Sequence, residues 1–565
     1  MAITPRFTTR LAALLAIPFL ACAGVPTTPP SSVAPPASYI VQAPSTAAAQ
    51  AAVAHAGGTV QAQLGIINSV SALLDGAAVA HLQHDAAIHL YADRTVQTSG
   101  HHDEDNDPKE AGTAGYALYP AAATGATAIQ NQNISQNKIT CSNVVVNVDT
   151  NHHENRPLRG WGVTVAVVDS GLIPMEKTNN WDYVDPATGG LWMENGGRCI
   201  GYRDFLPRTT ANGNSGAAAL NSIDQNGHGT HVVGTIADHH NMVMTTNTVA
   251  SPVGVAPDVN LMVARVLDRN GAGTYGDVIA AIDYIVSMKT QLNIKVLNLS
   301  LYAPATGPYW SDPLDQAVMR AWQAGITVVA AAGNDGPGAG TITVPGNVPY
   351  VITAGAIKSG RYTDSGSDEL ATYSGRGPTE SAFVKPDVLV PASRTIAPMP
   401  NGSLLAGQVA AGIMTTTDVL NYQMVKPIPA FHYYRLSGTS MAAAQISGIA
   451  ALVLQANPTF TNNQVKGRIM ATARPAVDAL GLPVYSIWEQ GAGLVNTQQA
   501  VLGTINSVAN PGMDLATDLD PNGTTHYWGN TTWNSATSDP LGIGAIVREA
   551  GTSTSGLTNA DSVGP

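Results

Sequence analysis

From about residue 116 onward, the chain alternates between two kinds of hydrophobic pattern. Short, continuous apolar runs, typical of strands covered on both faces, are separated by stretches with apolar residues at helical spacing. The strand candidates are VTVAVV (163–168), VNLMVARV (259–266), KVLNLSL (295–301), TVVAAA (327–332) and YVITAGAI (350–357). The alternation predicts an α/β fold class: a doubly wound, mostly parallel sheet with helices on both faces, over residues 116–504.

Three helices are predicted among and after these strands. One is marked by an apolar stripe from Val278 to Val286, and a second, PLDQAVMRAWQAG (313–325), ends on the glycine expected just past a helix. The third, in RLSGTSMAAAQISGIAALVLQA (435–456), is polar at its start and then almost wholly apolar, which predicts a buried helix. Reactive groups in such a fold gather at the carboxyl ends of the strands, so residues just after the apolar runs are candidates for chemistry.

Four segments of different character precede this domain. Residues 1–23 combine two arginines, the run LAALLAIPFLA and a small-residue cleavage site, so they are predicted to be a signal peptide. Residues 24–37 are a Pro/Ala-rich linker. Residues 38–98 alternate strand-like and helix-like patterns, which predicts a compact α+β module of marginal stability. Residues 99–115 are charged and read as an exposed linker, where a metal site is not favoured because nothing fixes ligand geometry.

Composition narrows the class of protein. The chain is 44% hydrophobic and 12% charged, with a formal net charge of -12 and 56 glycines. These values suit a soluble α/β protein and argue against nucleic acid as a partner, because that would need a basic face. The N-terminal apolar run is too short to span a membrane, and no later run is long enough, so no transmembrane anchor is expected.

Cysteine usage bears on localisation. The predicted signal peptide indicates a secreted, extracellular protein. A periplasmic location or a lipid anchor on Cys22 is the less favoured alternative. After cleavage the chain keeps Cys141 and Cys199, which either form a disulfide in an oxidising compartment or remain two unpaired thiols.

Three reactive side chains stand at the expected positions. Asp169 directly follows VTVAVV, although a single aspartate there often only bonds the following turn. His228 enters a helix pattern in NGHGTHVVGTIAD; its spacing of three to His231 does not match the HExxH zinc motif, so a metal role is not favoured. Ser440 lies at the start of the buried helix, where N–H groups and the helix dipole favour negative charge, although a capping role alone would explain a serine.

Together, these three side chains are the groups that acyl-transfer chemistry requires. A hydroxyl is a poor nucleophile until a base takes its proton, and the imidazole that does so needs a carboxylate to fix its tautomer. Asp169, His228 and Ser440 supply these groups. Asn334, in VVAAAGNDGPG, follows a strand on a glycine turn, where its amide can donate to an oxyanion.

Four motifs in this order resemble the subtilisin family of serine endopeptidases, the subtilases: VAVVDSGL, HGTHVVGTIA, AAAGNDG and LSGTSMAAAQISGIAAL. The resemblance covers about residues 116–503. It implies that Asp169 orients His228, that His228 acts as general base and then general acid, and that Ser440 attacks the peptide carbonyl. It also implies an oxyanion hole at Asn334 and the Ser440 N–H. The implied edges of the substrate cleft are Leu299, Ser300, Leu301, Ala331, Ala332 and Gly333.

The module at 38–98 is similar to the family's inhibitory propeptide, which implies a small α+β, ferredoxin-like unit that assists folding and is then removed by the protease. Processing is expected between Gln97 and Gly115. The expected partners are protein or peptide substrates and the chain's own propeptide as an intramolecular inhibitor, in a monomer. The chemistry requires no cofactor; the resemblance is compatible with structural calcium, for which the sequence names no ligands.

Some features depart from the family or leave alternatives open. Ala444 and Gln445 stand where the family usually has Pro and His, and Tyr302 stands where it often has Gly, which we expect to alter packing and to narrow the cleft. Residues 505–565 are either a trailing segment, packed on the enzyme or disordered, or a carbohydrate- or surface-binding patch around Trp528 and Trp533. The alternatives to a self-processing endopeptidase are a non-catalytic binding protein on the same fold and a dedicated processing protease.

Overall fold

A computed structural model describes most of the folded part of the chain. The described residues are 35–98, 156–172, 199–206, 224–238, 254–358, 368–410, 431–520 and 523–529, with short pieces at 124, 126, 133–134, 241–243, 250–252 and 423–424. The predicted signal peptide, Cys22, most of both linkers, Cys141 and Trp533 lie outside them, so the predictions made for those residues stay predictions.

The N-terminal unit mixes strands and helices as the sequence predicts, except that the strand-like stretch 59–74 forms two consecutive strands and not one. Its elements are β1 (Ala37–Gln42), α1 (Thr46–His55), β2 (Thr59–Leu64), β3 (Ser69–Leu74), α2 (Gly76–Gln83) and β4 (His89–Ala92). The strands form an antiparallel sheet in the order β2-β3-β1-β4. Ser45 caps the N-terminus of α1 and Asp75 caps that of α2. Each side chain accepts hydrogen bonds from N–H groups of the first helical turn, which explains where the helix begins. We call residues 35–92 the small unit.

A short strand, β5 (Thr95–Thr98), follows the small unit, and the rest of the chain builds around a large sheet. Further strands at its margins, outside the large sheet, are β6 (Asn133–Ile134), β7 (Arg156–Pro157), β10 (Asn241–Val243), β11 (Ala250–Pro252), β13 (Ala272–Thr274), β15 (Leu301–Tyr302), β20 (Thr395–Pro400), β21 (Gln423–Met424) and β22 (Phe431–Leu436). The antiparallel ribbon of β20 and β22 packs against the helix that carries His228.

The large sheet has eight strands. They are β8 (Thr164–Asp169), β9 (Cys199–Asp204), β12 (Asn260–Arg265), β14 (Ile294–Leu299), β16 (Thr327–Ala331), β17 (Ile352–Lys358), β18 (Glu369–Leu370) and β19 (Val388–Pro391). The order is β18-β17-β16-β14-β8-β12-β9, with β19 also paired to β17. All pairs are parallel except β17 with β18. The five predicted strands correspond to β8, β12, β14, β16 and β17, so the predicted mostly parallel sheet is confirmed.

Helices pack on this sheet and around it. The helices are α3 (His228–Ala237), α4 (Tyr275–Met288), α5 (Pro313–Gln323), α6 (Leu404–Ala410), α7 (Thr439–Ala456), α8 (Asn462–Ala471), α9 (Ile487–Gln490), α10 (Thr497–Leu502) and α11 (Leu515–Asp518). α4 packs on α5, and α7 packs on α3. Asp312 caps α5 ahead of Pro313, which suits the first helical position because it has no N–H to leave unpaired.

Helix α7 is the buried helix that its apolar sequence predicts. It contacts β14, β16 and β17, and 94% of its 18 residues are buried within the protein. Among the described residues it is the one helix long and apolar enough to cross a bilayer, but its apolar surface is already covered by the sheet and by α3.

The described residues after 504 pack on the enzyme. The hydroxyls of Tyr309 and Tyr350 donate to Asp518, at 2.5 and 2.8 Å. Asn510 accepts from the ammonium group of Lys466, which also lies 3.3 Å from buried Asp387. The segment therefore adds hydrogen-bond partners for buried polar groups of the enzyme.

Candidate active site

The first candidate residue, Asp169, is the last residue of β8, where the strand reaches the carboxyl edge of the sheet. Every residue of β8 is buried, because parallel strands flank both of its edges and helices α3, α4 and α7 pack against it. Its Oδ1 accepts from the backbone N–H of Ser170 at 2.7 Å, which holds the carboxylate at the start of the turn. The carboxylate is therefore fixed by the sheet and by its own turn.

His228 is brought to this carboxylate by the start of α3. The distance from His228 Nδ1 to Asp169 Oδ1 is 2.8 Å, and both residues are 0% exposed. In the neutral imidazole, an Nδ1–H that donates to Asp169 leaves Nε2 as the acceptor, which is the state that a general base requires. Nε2 has no hydrogen-bond partner among the described residues.

Two glycines permit the approach of α3 to β8. Gly227, the N-cap, has φ of +103°, in the left-handed region that strongly favours glycine. A Cβ on Gly229 would lie 2.3 Å from the carbonyl oxygen of Gly171. Any side chain at position 229 would therefore push the histidine helix away from the turn that carries Asp169.

A buried network that sequence reasoning missed also joins these two segments. The carboxylate of Asp224 accepts from Gly227 N, Thr230 N and the Thr230 hydroxyl, at 2.6 to 2.8 Å. It also accepts from Ser170 Oγ at 2.9 Å, and Ser170 Oγ accepts from Gly229 N at 2.8 Å. The signal was present as an aspartate four residues before His228, where a carboxylate can bond the free N–H groups of the helix start.

Ser440 occupies the second position of α7, just after Gly438 and Thr439. Its hydroxyl donates to the Ser300 carbonyl at 3.1 Å, and Ser300 Oγ donates back to the Ser440 carbonyl at 2.9 Å. Because α7 packs on α3, this serine lies on the helix adjacent to His228. In this arrangement the hydroxyl is bonded to Ser300, and no hydrogen bond joins it to His228 Nε2.

Asn334 is oriented by the same helix start. Its Oδ1 accepts from the backbone N–H and from the hydroxyl of Thr439, each at 3.0 Å. Two donors on one atom identify that atom as the amide oxygen, so the amide nitrogen lies on the opposite side of the planar group. The arrangement presents an N–H donor beside the N-terminus of α7, which is the geometry that an oxyanion hole needs.

His231 has a structural environment. Its Nε2 donates to the Tyr434 carbonyl at 3.1 Å, and burial lowers its pKa to about 3, so the ring is neutral at ordinary pH. Within the described ranges, no group of three or more His, Cys, Asp or Glu side chains is arranged to hold a metal ion.

A strand of the chain itself lies at the cleft. β5 pairs antiparallel with β13 on one side and with β15 on the other. Thr98 N donates to the Gly271 carbonyl at 2.9 Å, and Thr98 pairs with Leu301, which follows the Ser300 that contacts Ser440. The Val96 side chain is 0% exposed. The end of β5 is thus close to the candidate nucleophile.

The predicted cleft residues lie in different places. Leu301 pairs with β5, whereas Leu299 ends β14 in the core and Ser300 bonds Ser440. Ala331 ends β16, Ala332 bonds the sheet through Ala354, and Gly333 bonds Thr439. Their part in substrate binding stays a prediction. Sequence reasoning missed the other edge, β13, because a three-residue strand with a glycine at its centre carries no hydrophobic pattern.

The fold and this constellation are those of a subtilisin-like serine endopeptidase. The model of the subtilase family matches residues 160–531, and the chain belongs to this family. The predicted family membership and the predicted endopeptidase activity are thereby confirmed.

Similar proteins agree with this class. Serine protease AprX of Bacillus subtilis is 32% identical over 352 residues, which are 61% of this chain and 67% of AprX. Subtilisin E of Bacillus subtilis is 28% identical over 462 residues, 81% of this chain and 87% of that protein. Among solved structures, fervidolysin of Fervidobacterium pennivorans has a TM-score of 0.52 at 19% identity; the match covers 84% of this chain and 62% of fervidolysin, and it supports the fold.

Proposed function

We propose that this serine protease is an exported endopeptidase that is made as a self-processing precursor. Asp169, His228 and Ser440 form its catalytic triad, and Asn334 forms its oxyanion hole with the Ser440 N–H. The small unit and β5 act as a propeptide that occupies the cleft until it is cut away. The pattern of residues 1–23 supports export.

The arrangement can perform acyl transfer in two stages. Ser440 Oγ attacks the peptide carbonyl while its proton passes to His228 Nε2, and Asp169 stabilises the imidazolium through Nδ1–H. The tetrahedral oxyanion accepts hydrogen bonds from Asn334 and from the Ser440 N–H. The intermediate collapses to an acyl-enzyme, and the leaving amine takes the proton. Water repeats the sequence, releases the new carboxyl end and restores the Ser440 hydroxyl.

One observation carries the proposal: a strand of the same chain is the middle strand of a three-stranded sheet at the cleft. An extended peptide that adds a strand to an exposed edge is a general mode of peptide recognition, and here β5 satisfies both edges at once. Asp169, His228 and Ser440 are each 0% exposed in this state. A chain held in this way is both the first substrate and the first inhibitor.

The test compares the chain from residue 24 onward with its Ser440→Ala variant, by mass over time and by reaction with a fluorophosphonate. We expect the unchanged chain to lose the residues before a cut between Gln97 and Gly115 and to be labelled, and Ser440→Ala to do neither. The control, Ser287→Ala, removes an exposed hydroxyl that bonds only its own helix, and it should behave as the unchanged chain.

Parallel samples with calcium and with a chelator test the structural calcium, which would appear as a lower midpoint of thermal unfolding after chelation. If Ser440→Ala is processed at the same rate, another protease makes the cut and self-processing is wrong. If the unchanged chain is neither processed nor labelled, the proposed catalytic role of Ser440 fails.

A further inference from the structure

The residue that precedes β5, Arg94, is held in a pocket of the enzyme. Its guanidinium donates to Thr306 Oγ1 at 3.0 Å, to Asp312 Oδ2 at 3.1 Å and to the Pro304 carbonyl. The same group lies over the ring of Tyr275, 5.0 Å from its centroid. We call Tyr275, Pro304, Thr306 and Asp312 the guanidinium pocket. One carboxylate, two neutral acceptors and one aromatic face match the shape and charge of an arginine head group.

The walls of this pocket are held by the enzyme. Asp312 Oδ1 caps α5 through the N–H groups of Leu314 and Asp315, which directs Oδ2 to the guanidinium. The Tyr275 hydroxyl donates to the same Oδ2 at 3.1 Å, and Tyr275 is 0% exposed. Burial raises the pKa of Asp312, and Arg94 opposes that rise. The position of Asp312 Oδ2 is therefore fixed by groups of the enzyme, and these groups remain in place when Arg94 is absent.

Main-chain pairing sets which residue of a peptide enters the pocket. Tyr275 N donates to the Arg94 carbonyl at 2.9 Å, directly after the pairing of Thr274 with Thr95. A peptide that pairs with β13 in the register of β5 therefore places one residue against Tyr275 whatever its side chain. That residue stands four positions before the one that occupies the place of Thr98.

We propose that the guanidinium pocket is a recognition site for arginine in substrates, filled by Arg94 in the precursor and open after the small unit and β5 have left. The inference rests on the proposed function, because it takes the path of β5 as the path of a substrate. Arginine suits the site better than lysine, since a planar fork can reach three acceptors and stack on a ring, whereas an ammonium is a compact point charge.

The experiment uses the processed enzyme and internally quenched peptides with the sequence of residues 92–115, which span the expected processing region. Four peptides differ only at the position of Arg94, which carries arginine, citrulline, lysine or alanine, and mass spectrometry maps the bond that is cut. Citrulline keeps the shape of arginine without its charge. We expect kcat/KM for arginine to exceed that for citrulline about tenfold, since a hydrogen bond to a charged group is worth about one such factor.

Variants of the guanidinium pocket test whether it causes the preference for arginine over citrulline. In Asp312→Asn, which keeps Oδ1 as the cap of α5, the ratio of arginine to citrulline should fall to near one. Thr306→Val removes one acceptor without touching a helix cap and should lower the ratio partially, which covers the case in which Asp312→Asn does not fold. The control, Asp258→Asn, removes the charge of an aspartate paired with Arg159 elsewhere, and it should keep the ratio.

The outcomes are distinct. Cleavage of all four peptides with equal kcat/KM overturns the recognition site and leaves the proposed function intact; Arg94 is then only an anchor of the propeptide. A preference for arginine that survives both Asp312→Asn and Thr306→Val places recognition elsewhere and also overturns the inference. No cleavage of any peptide by the processed enzyme overturns the proposed function and this inference together.

Discussion

The small unit and the enzyme differ most in how much of each helix they bury. In the small unit, α1 buries only Ala49 and Val53, and one separate core of nine apolar residues holds both helices to the sheet. In the enzyme, α7 buries 17 of its 18 residues. Ile40, Leu64 and Ile67 of the small unit belong instead to the large core of the enzyme. A unit this small gains little stability from its own core, so docking on the enzyme supplies much of its order.

The largest effect should come from adding one methyl group where the backbone of the histidine helix packs directly on the turn that follows Asp169. In Gly229→Ala the new Cβ would meet the Gly171 carbonyl, which belongs to backbone and cannot move aside easily. We expect a loss of about 3 kcal/mol in the free energy of unfolding, and no processing. Urea unfolding and the mass of the chain measure both.

The matched change in the small unit is Gly76→Ala, where a Cβ meets nothing within 4 Å. It should change the free energy of unfolding by less than about 1 kcal/mol, in the stabilising direction. Equal effects of the two substitutions would show that the packing contrast between the two regions is wrong.

The second-largest effect should fall on catalysis. Asn334→Ala should lower kcat about 100- to 1000-fold with little change in KM, because the amide meets the oxyanion only in the transition state; subtilisin is the reference case for this magnitude. Kinetics on a peptide substrate test it. Thr439→Ser, which keeps both donors to Asn334, is the control, and a rise in KM at constant kcat would contradict the assigned role.

Much of this arrangement could be predicted from the sequence, and the missing parts share a physical cause. The five buried strands and α7 were predicted because burial on both faces leaves continuous apolar runs. Asp169, His228, Ser440 and Asn334 were predicted as site residues because each stands directly after such a run or at a helix start. β13 was missed because it exists through its pairing with β5. The Asp224 network and the guanidinium pocket join side chains far apart in sequence, which no local pattern records.

The smallest effect concerns pH at the contact between the two regions. A cavity of about 820 Å³ lies between the sheet of the small unit and α4, and Asp277, Asp283 and Arg203 are among the residues that line it. Burial raises the pKa of Asp277 to about 7, against a hydrogen bond from Thr274, and the carboxylates of Asp93 and Asp204 raise it further.

Because the raised pKa belongs to the docked state, docking is strongest with Asp277 protonated and weakens as the pH rises from about 4 to 7. For each unit by which docking raises the pKa of Asp277, ionisation of this carboxyl weakens binding of the small unit about tenfold. Inhibition of the processed enzyme by residues 24–98, measured from pH 5 to 8, tests this. Asp277→Asn should flatten the profile, whereas Asp258→Asn should leave it unchanged; an identical slope in Asp277→Asn assigns the pH dependence to another group.

The link between β4, which ends at Ala92, and β5, which begins at Thr95, is only two residues long. Hydrogen bonds to the enzyme hold both residues in place. The Asp93 carboxylate accepts from Gly276 N at 2.9 Å, and the Arg94 carbonyl accepts from Tyr275 N. The two-residue link therefore holds β5 at the cleft at a very high effective concentration. That concentration depends on the length of the link and not on the concentration of the protein. Occupancy of the cleft is then insensitive to dilution, and it ends only when the connection to the small unit is cut or the small unit itself lifts away.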